Sequence, residues 1–236
     1  MGLQLKTFPN IKKQQYIAID FTYAGRPEDG EALLTSIFDV RLPQFTTRQE
    51  LVLPWSELNK RGMLGIAQSW CVRGWRKNTF STSIIQYNLT DVRNVWNGYR
   101  QLIAQNPSAF QSMFIWETYP MQGMRNRDST LTAYANRDAN HIVVAFLIYE
   151  DASLDATMSA YGINAFRTTL NSHNGWQNGI SKVYVNYGHG LEKPAEFYGW
   201  ESWRQQKLIA LKQSYDPLGR FNAYHPVPTT VAGFTS

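Results

Sequence analysis

The sequence predicts an α+β fold, an antiparallel sheet with helices packed on one face, and three observations carry that prediction. Stretches with the two-residue period of strands and stretches with the 3.6-residue period of helices follow one another in mixed order along the 236 residues. No Gly-rich phosphate loop is present, and the strand, tight turn and helix unit that builds a nucleotide crevice does not repeat. No linker-like or low-complexity stretch divides the chain, so residues 1–226 read as a single domain.

The elements follow in order. Residues 15 to 23 alternate, with Ile17, Ile19, Phe21 and Tyr23 on one face and Ala18, Asp20 and Thr22 on the other, the pattern of a half-buried strand. A helix follows from Pro27, whose fixed φ suits a first turn, and residues 28–40 place Leu33, Leu34, Ile37 and Phe38 along one side. The segment Leu53-Pro54-Trp55-Ser56-Glu57-Leu58 reads as a turn entering a short helix, and residues 70–75 as a strand interrupted by Gly74. Thr90 is a good N-cap for a helix carrying Val92, Val95, Trp96, Tyr99, Leu102 and Ile103 on one stripe, with Asn106-Pro107 as its stop. Residues 110–119 read as a strand, and the almost unbroken apolar run 141–149 as a central strand covered on both faces. A helix starts near Leu154, with Met158, Tyr161, Ala165 and Leu170 at helical spacing and Gly162 weakening it. Residues 182–187 read as a further strand. A final helix from Trp200 sets Trp203, Leu208, Leu211 and Tyr215 inward and ends at Asp216-Pro217-Leu218-Gly219. The polar tail 227–236, rich in Thr, Gly and Pro, is expected to be flexible and to fray.

Composition excludes several function classes. The net charge of +5 is spread along the chain, with Lys12-Lys13, Arg61 and the Arg125, Arg127 pair as its densest spots. Nucleic-acid binding calls for a stripe of cations with interleaved aromatics, so no nucleic-acid partner is expected. Cys71 is the only cysteine, which excludes an intramolecular disulfide, and the first six residues lack the charged start and apolar run of a secretion signal. No apolar run approaches the roughly 20 residues of a membrane helix. A cytoplasmic location without a membrane partner is expected, and the sequon Asn88-Leu89-Thr90 is read as chance. His141, His173, His189 and His225 are too dispersed to show metal-ligand spacing, so no metal is expected. Aromatic residues make up 14% of the chain, with 8 Trp and 13 Tyr. Such a load suits a pocket for a small apolar or aromatic substrate, although for any single ring core filling is the commoner role.

The last third carries a recognisable pattern: Tyr184-Val185-Asn186-Tyr187, then Phe197-Tyr198-Gly199, then Leu208-Ile209-Ala210-Leu211-Lys212, and finally Tyr215-Asp216-Pro217-Leu218-Gly219-Arg220-Phe221. In that order it resembles the C-terminal signature of berberine-bridge-type FAD-linked oxidoreductases, within the vanillyl-alcohol oxidase superfamily. Upstream, Ala133-Tyr134-Ala135-Asn136-Arg137 is similar to that family's aromatic-to-arginine segment, and Leu53-Pro54-Trp55-Ser56-Glu57-Leu58 to its proline-aromatic turn. The resemblance runs from about Leu5 to Pro226. It implies that the chain is the substrate-binding (cap) domain, that Leu3-Gln4-Leu5-Lys6-Thr7-Phe8-Pro9 is the strand leaving the flavin domain, and that the FAD-binding domain is absent. No cofactor is then expected of the chain alone, and FAD only where a partner supplies its binding domain.

The resemblance also implies a site. The Tyr184, Asn186 pair would face flavin and substrate; on a strand both point the same way, and the competing reading is a Tyr packed under a helix with an Asn bonding a loop. Glu117 is the one carboxylate embedded in an apolar strand, where burial suits it to proton transfer, or where Arg73 or Arg137 makes it a structural ion pair. Met113, Ile115, Glu117 and Tyr119 share one strand face, with Phe114 and Trp116 on the other. Tyr184, Asn186 and Glu117 are therefore the catalytic candidates, with Trp116, Tyr119 and His189 as walls or mouth. Two functions follow: a stand-alone, flavin-free pocket that binds a secondary-metabolite intermediate and promotes its cyclisation or isomerisation, or one piece of an FAD-linked oxidase that gains flavin from a separate domain. A non-catalytic binding protein is a third reading. A homodimer that buries the exposed sheet face is a related expectation.

Overall fold

The computed structural model describes residues 2–9, 15–38, 51–61 and 73–236. Its centre is a five-stranded antiparallel sheet of β1 (Gly2–Pro9), β2 (Gln15–Thr22), β3 (Arg76–Ile84), β4 (Met113–Thr118) and β5 (His141–Tyr149), in the order β2-β1-β4-β5-β3. The apolar run of β5 thus lies inside the sheet, and nearly all of its side chains are buried.

The strand expected at 70–75 is displaced. Residues 70–72 lie outside the described residues, 73–75 form a turn, and the strand is Arg76–Ile84. Its buried half is polar, with Ser81, Thr82 and Ser83 fully buried, so the alternation that marks a strand in sequence is missing there. A second displacement is smaller. Helix α1 spans Pro27–Phe38, and α2 spans Leu89–Gln105 with Asn88, not Thr90, as its N-cap; the Asn88 side chain accepts from the Thr90 and Asp91 amides. The sequon asparagine is therefore a cap.

Helix α3 covers residues 155–172 and widens to π geometry over Tyr161–Thr168. Helices α2 and α3 pack on one sheet face against Phe80, Ile84, Phe114, Trp116, Val143, Ala145, Leu147 and Tyr149. Two tyrosines buried in that layer satisfy their hydroxyls on carbonyls, Tyr99 on Ser112 at 2.7 Å and Tyr161 on Val95 at 2.9 Å. Gly162 has a packing reason: a Cβ there would come within 2.2 Å of the Phe80 ring. The layer covers β3, β5 and β4 and leaves Ile17 and Ile19 of β2 exposed.

The C-terminal third runs along the β3 edge. A single bridge joins Ser83 to Lys182, and the expected strand at 182–187 is instead this bridge followed by a 3-10 turn over Val185–Tyr187. Helix α4 (Pro194–Tyr198) is tied to α3 by the Arg167–Glu196 ion pair, and Ser181 donates to the same carboxylate. Helix α5 (Ser202–Tyr215) reverses the expected orientation: Arg204 and Gln205 are buried, whereas Trp203, Leu211 and Tyr215 are exposed. Arg204 and Lys207 bond backbone carbonyls of residues 129–132, so hydrogen bonding rather than apolar burial fixes this helix. The tail, expected to fray, packs: Phe234 is fully buried and Lys193 Nζ donates to the Thr235 carbonyl at 2.9 Å. No described helix is long and apolar enough to cross a membrane.

Candidate functional site

Strand β4 alternates its side chains, so Phe114 and Trp116 enter the helix-side core while Glu117 emerges on the opposite face, 3% exposed. The Glu117 carboxylate accepts from the Tyr119 hydroxyl on Oε2 and from the Tyr187 hydroxyl on Oε1, both at 2.9 Å. Tyr187 stands edge-on to Phe146 of β5 at 5.8 Å and to Tyr184 at 5.4 Å, and Tyr184 lies edge-on to Tyr134 at 6.5 Å. Asn186 Nδ2 donates to the Tyr184 hydroxyl at 2.8 Å. The result is a face of four tyrosines around one carboxylate.

Burial first, and the neighbouring Glu117 charge second, push the Tyr119 and Tyr187 phenols well above their ordinary value. Burial likewise raises Tyr134. These phenols stay protonated near neutrality and keep donating to the carboxylate. Tyr119 is 41% exposed, so its oxygen can accept a hydrogen bond from a ligand while its proton is given to Glu117. That arrangement links a surface-reachable hydroxyl to a buried base, the geometry of a proton path.

The structure brings together four of the six expected residues. Glu117 and Tyr119 bond directly, and Tyr184 with Asn186 joins them through Tyr187. The shared direction of Tyr184 and Asn186 arises from the 3-10 turn rather than from strand alternation. Trp116 is not part of this face; it is packed in the helix-side core, 5.6 Å from the Tyr87 ring. His189 also lies apart, stacked on Phe80 at 4.1 Å with its backbone N–H on the Glu192 carboxylate. Arg137, expected as an ion-pair partner, bonds the Met124 carbonyl and Thr132 instead. Tyr187 and Tyr134 were missed. Both stand inside the quoted family segments, but a strand through residues 182–187 turns Tyr187 to the face opposite Tyr184.

Among the described residues no three metal-ligating side chains cluster. Two cavities, of about 280 Å³ beside His225 and about 220 Å³ beside Arg137, lie away from the tyrosine face. Both fall below the roughly 300 Å³ at which drug-sized ligand sites begin, so neither encloses a dinucleotide.

No protein-family model matches the sequence. An FAD-linked oxidoreductase of Penicillium roqueforti, anuG, is 28% identical over 211 residues, covering 88% of this chain and 40% of that protein. One of Neurospora crassa, srdI, is 27% identical over 234 residues, covering 97% of this chain and 45% of its own length. Among solved structures, the carbohydrate oxidase from Microdochium nivale superposes with a TM-score of 0.71 at 15% identity, over 97% of this chain and 48% of that one. Physcomitrella patens BBE-like 1 superposes with a TM-score of 0.70 at 16% identity, over 97% and 47%. The chain spans less than half the length of each of these relatives.

Proposed function

We propose that this chain, which belongs to the FAD-linked oxidoreductase family and has the fold of part of the berberine-bridge-like oxidases, forms the substrate-side half of such an enzyme. The observation that carries the reading is the buried Glu117 carboxylate held by Tyr119 and Tyr187 on the sheet face away from the helices. An apolar or aromatic secondary-metabolite intermediate would rest on the Tyr134, Tyr184 and Tyr187 rings. Its hydroxyl would bond Tyr119, and Glu117 would take the proton through that phenol.

Neither of these two cavities is large enough to enclose a whole FAD. In this reading a separate domain would hold the flavin, which would supply the redox chemistry. Exposed Trp203, Leu211, Tyr215, Leu218 and Phe221 on and after α5 form an apolar surface that such a domain would cover.

A second reading rests on the same bonds. A carboxylate and a phenol can move a proton between two positions of one ligand without any cofactor, which suits flavin-free cyclisation or isomerisation. The discriminating experiment is titration of the purified chain with FAD, alone and with the flavin-binding half of a relative. The first reading expects a bound-flavin spectrum only in the mixture, with turnover lost in Glu117→Gln. Turnover of an aromatic substrate by the colourless chain alone would give the second reading the case.

A further inference from the structure

Near the N-terminal half of α5, a polar cavity of about 220 Å³ is lined by Arg125, Arg127, Arg137 and Arg204, with only Asp138 and Glu201 as acids among its walls. Four guanidiniums face two carboxylates. Much of their bonding is to neutral oxygens: Arg204 donates to the Ser129 and Thr132 carbonyls, Arg137 to the Met124 carbonyl and Thr132, and Arg125 to the Asp138 carbonyl and Asn140. Those bonds brace residues 124–140, and Arg204 Nε also pairs with Glu201 at 3.3 Å, which leaves the lining with two more cations than acids.

Two further features are not explained by bracing. Arg137 Nε is buried without a hydrogen-bond partner, and no side-chain bond is formed by the Arg127 guanidinium among the described residues. Beneath the cavity wall, Lys182 is 4% exposed and donates to the carbonyl of Ala135, a lining residue, at 3.3 Å. Burial lowers the Lys182 pKa, opposed by the nearby Glu201 and Asp138 carboxylates, and its ammonium lies 4.5 Å from the Trp176 ring.

We infer that this cavity binds a compact oxyanion, the phosphate or carboxylate group of a small molecule, with the exposed Arg127 guanidinium as its principal donor. Guanidinium forks match both groups bidentately, and the cavity is too small for a drug-sized ligand but ample for one anionic group. Ala135 follows Tyr134 in the chain, so an apolar body attached to the anion would extend toward the tyrosine face. The inference does not rest on the oxidoreductase reading, because binding is measured on the chain alone and without flavin.

The test is calorimetric titration of the purified chain with inorganic phosphate and, separately, with benzoate, at an ionic strength fixed with chloride. Saturable binding of at least one anion is expected, and the stronger of the two tells phosphate from carboxylate recognition. Arg127→Gln, an exposed position, should weaken it by about tenfold or more, the loss of one charge-assisted hydrogen bond, without moving the thermal midpoint in anion-free buffer. Arg127→Lys, which keeps the charge and loses the fork, should weaken it less. Absence of saturable heat with both anions, or affinity unchanged in Arg127→Gln, would overturn the assignment.

Discussion

Single residues show how tightly the tyrosine face is wired. Removing the Tyr187 hydroxyl leaves the buried Glu117 carboxylate short of one donor, and a hydrogen bond to a charged group is worth about 1.5–3 kcal/mol. Tyr187→Phe should lower the free energy of urea unfolding by an amount in that range, whereas Tyr119→Phe, at a 41% exposed position where water can substitute, should cost less. Titration gives a second expectation. Burial lowers the His141 and His225 pKa values below the ordinary histidine value of about 6.5, so the folded state favours neutral rings. The stability these rings confer is present above pH 6.5 and is lost as pH falls through the folded values. The lowered carboxylates, Asp128, Asp151, Asp155 and Asp216, lose theirs only below about pH 3.8. Urea midpoints should therefore stay flat from pH 8 to 6.5 and decline toward pH 5, with His141→Gln flattening part of that decline; an unchanged slope in the variant would assign the effect elsewhere.

Elements contribute constraints that no residue shows alone. The widened turn of α3 places Gly162 against Phe80, with the added Cβ of an alanine 2.2–2.4 Å from ring carbons of a fully buried side chain. Gly162→Ala should cost about 1–3 kcal/mol through overpacking, although alanine is the better helix former; a stabilised variant would show that the ring has room to move. The last turn, Ala232–Phe234, anchors the C-terminus through a side chain with no exposed surface. Phe234→Ala should lower stability by about 3–5 kcal/mol in denaturant melts, the range for a large buried ring, whereas a frayed tail would show no change. Gly and Pro punctuation reads as weakness locally, and only the partner across the fold gives it a packing role.

At the scale of the molecule, the sheet separates two chemistries. The helix-covered face is an apolar core, and the other face carries the carboxylate and the phenols. Apolar side chains of α5, Trp203, Leu211 and Tyr215, and Ile17 and Ile19 of β2 are exposed. If a flavin-holding domain seats on the α5 stripe, Tyr215→Lys with Phe221→Lys should abolish complex formation with that domain in size-exclusion chromatography while leaving the circular dichroism of the chain unchanged. Self-association through β2 predicts a dimer mass by light scattering that Ile19→Lys reduces to monomer; a monomer at every concentration would remove that proposal.

The sequence by itself determined the α+β class, the extent of β5, the stripe of α2, the family signature, and the separation of Glu117 from Trp116. These follow from side-chain period and from contiguous motifs, which are local properties of the chain. Tertiary structure alone decided that Tyr187 completes the Glu117 site, that four arginines converge on one cavity, that β3 is a strand with a polar buried half, and that α5 buries Arg204 rather than Trp203. The Tyr187–Glu117 bond and the Arg204 bonds to the Ser129 and Thr132 carbonyls join residues far apart in the chain, whereas β3 buries Ser81 and Ser83 with no partner for their hydroxyls, and no local pattern carries either feature.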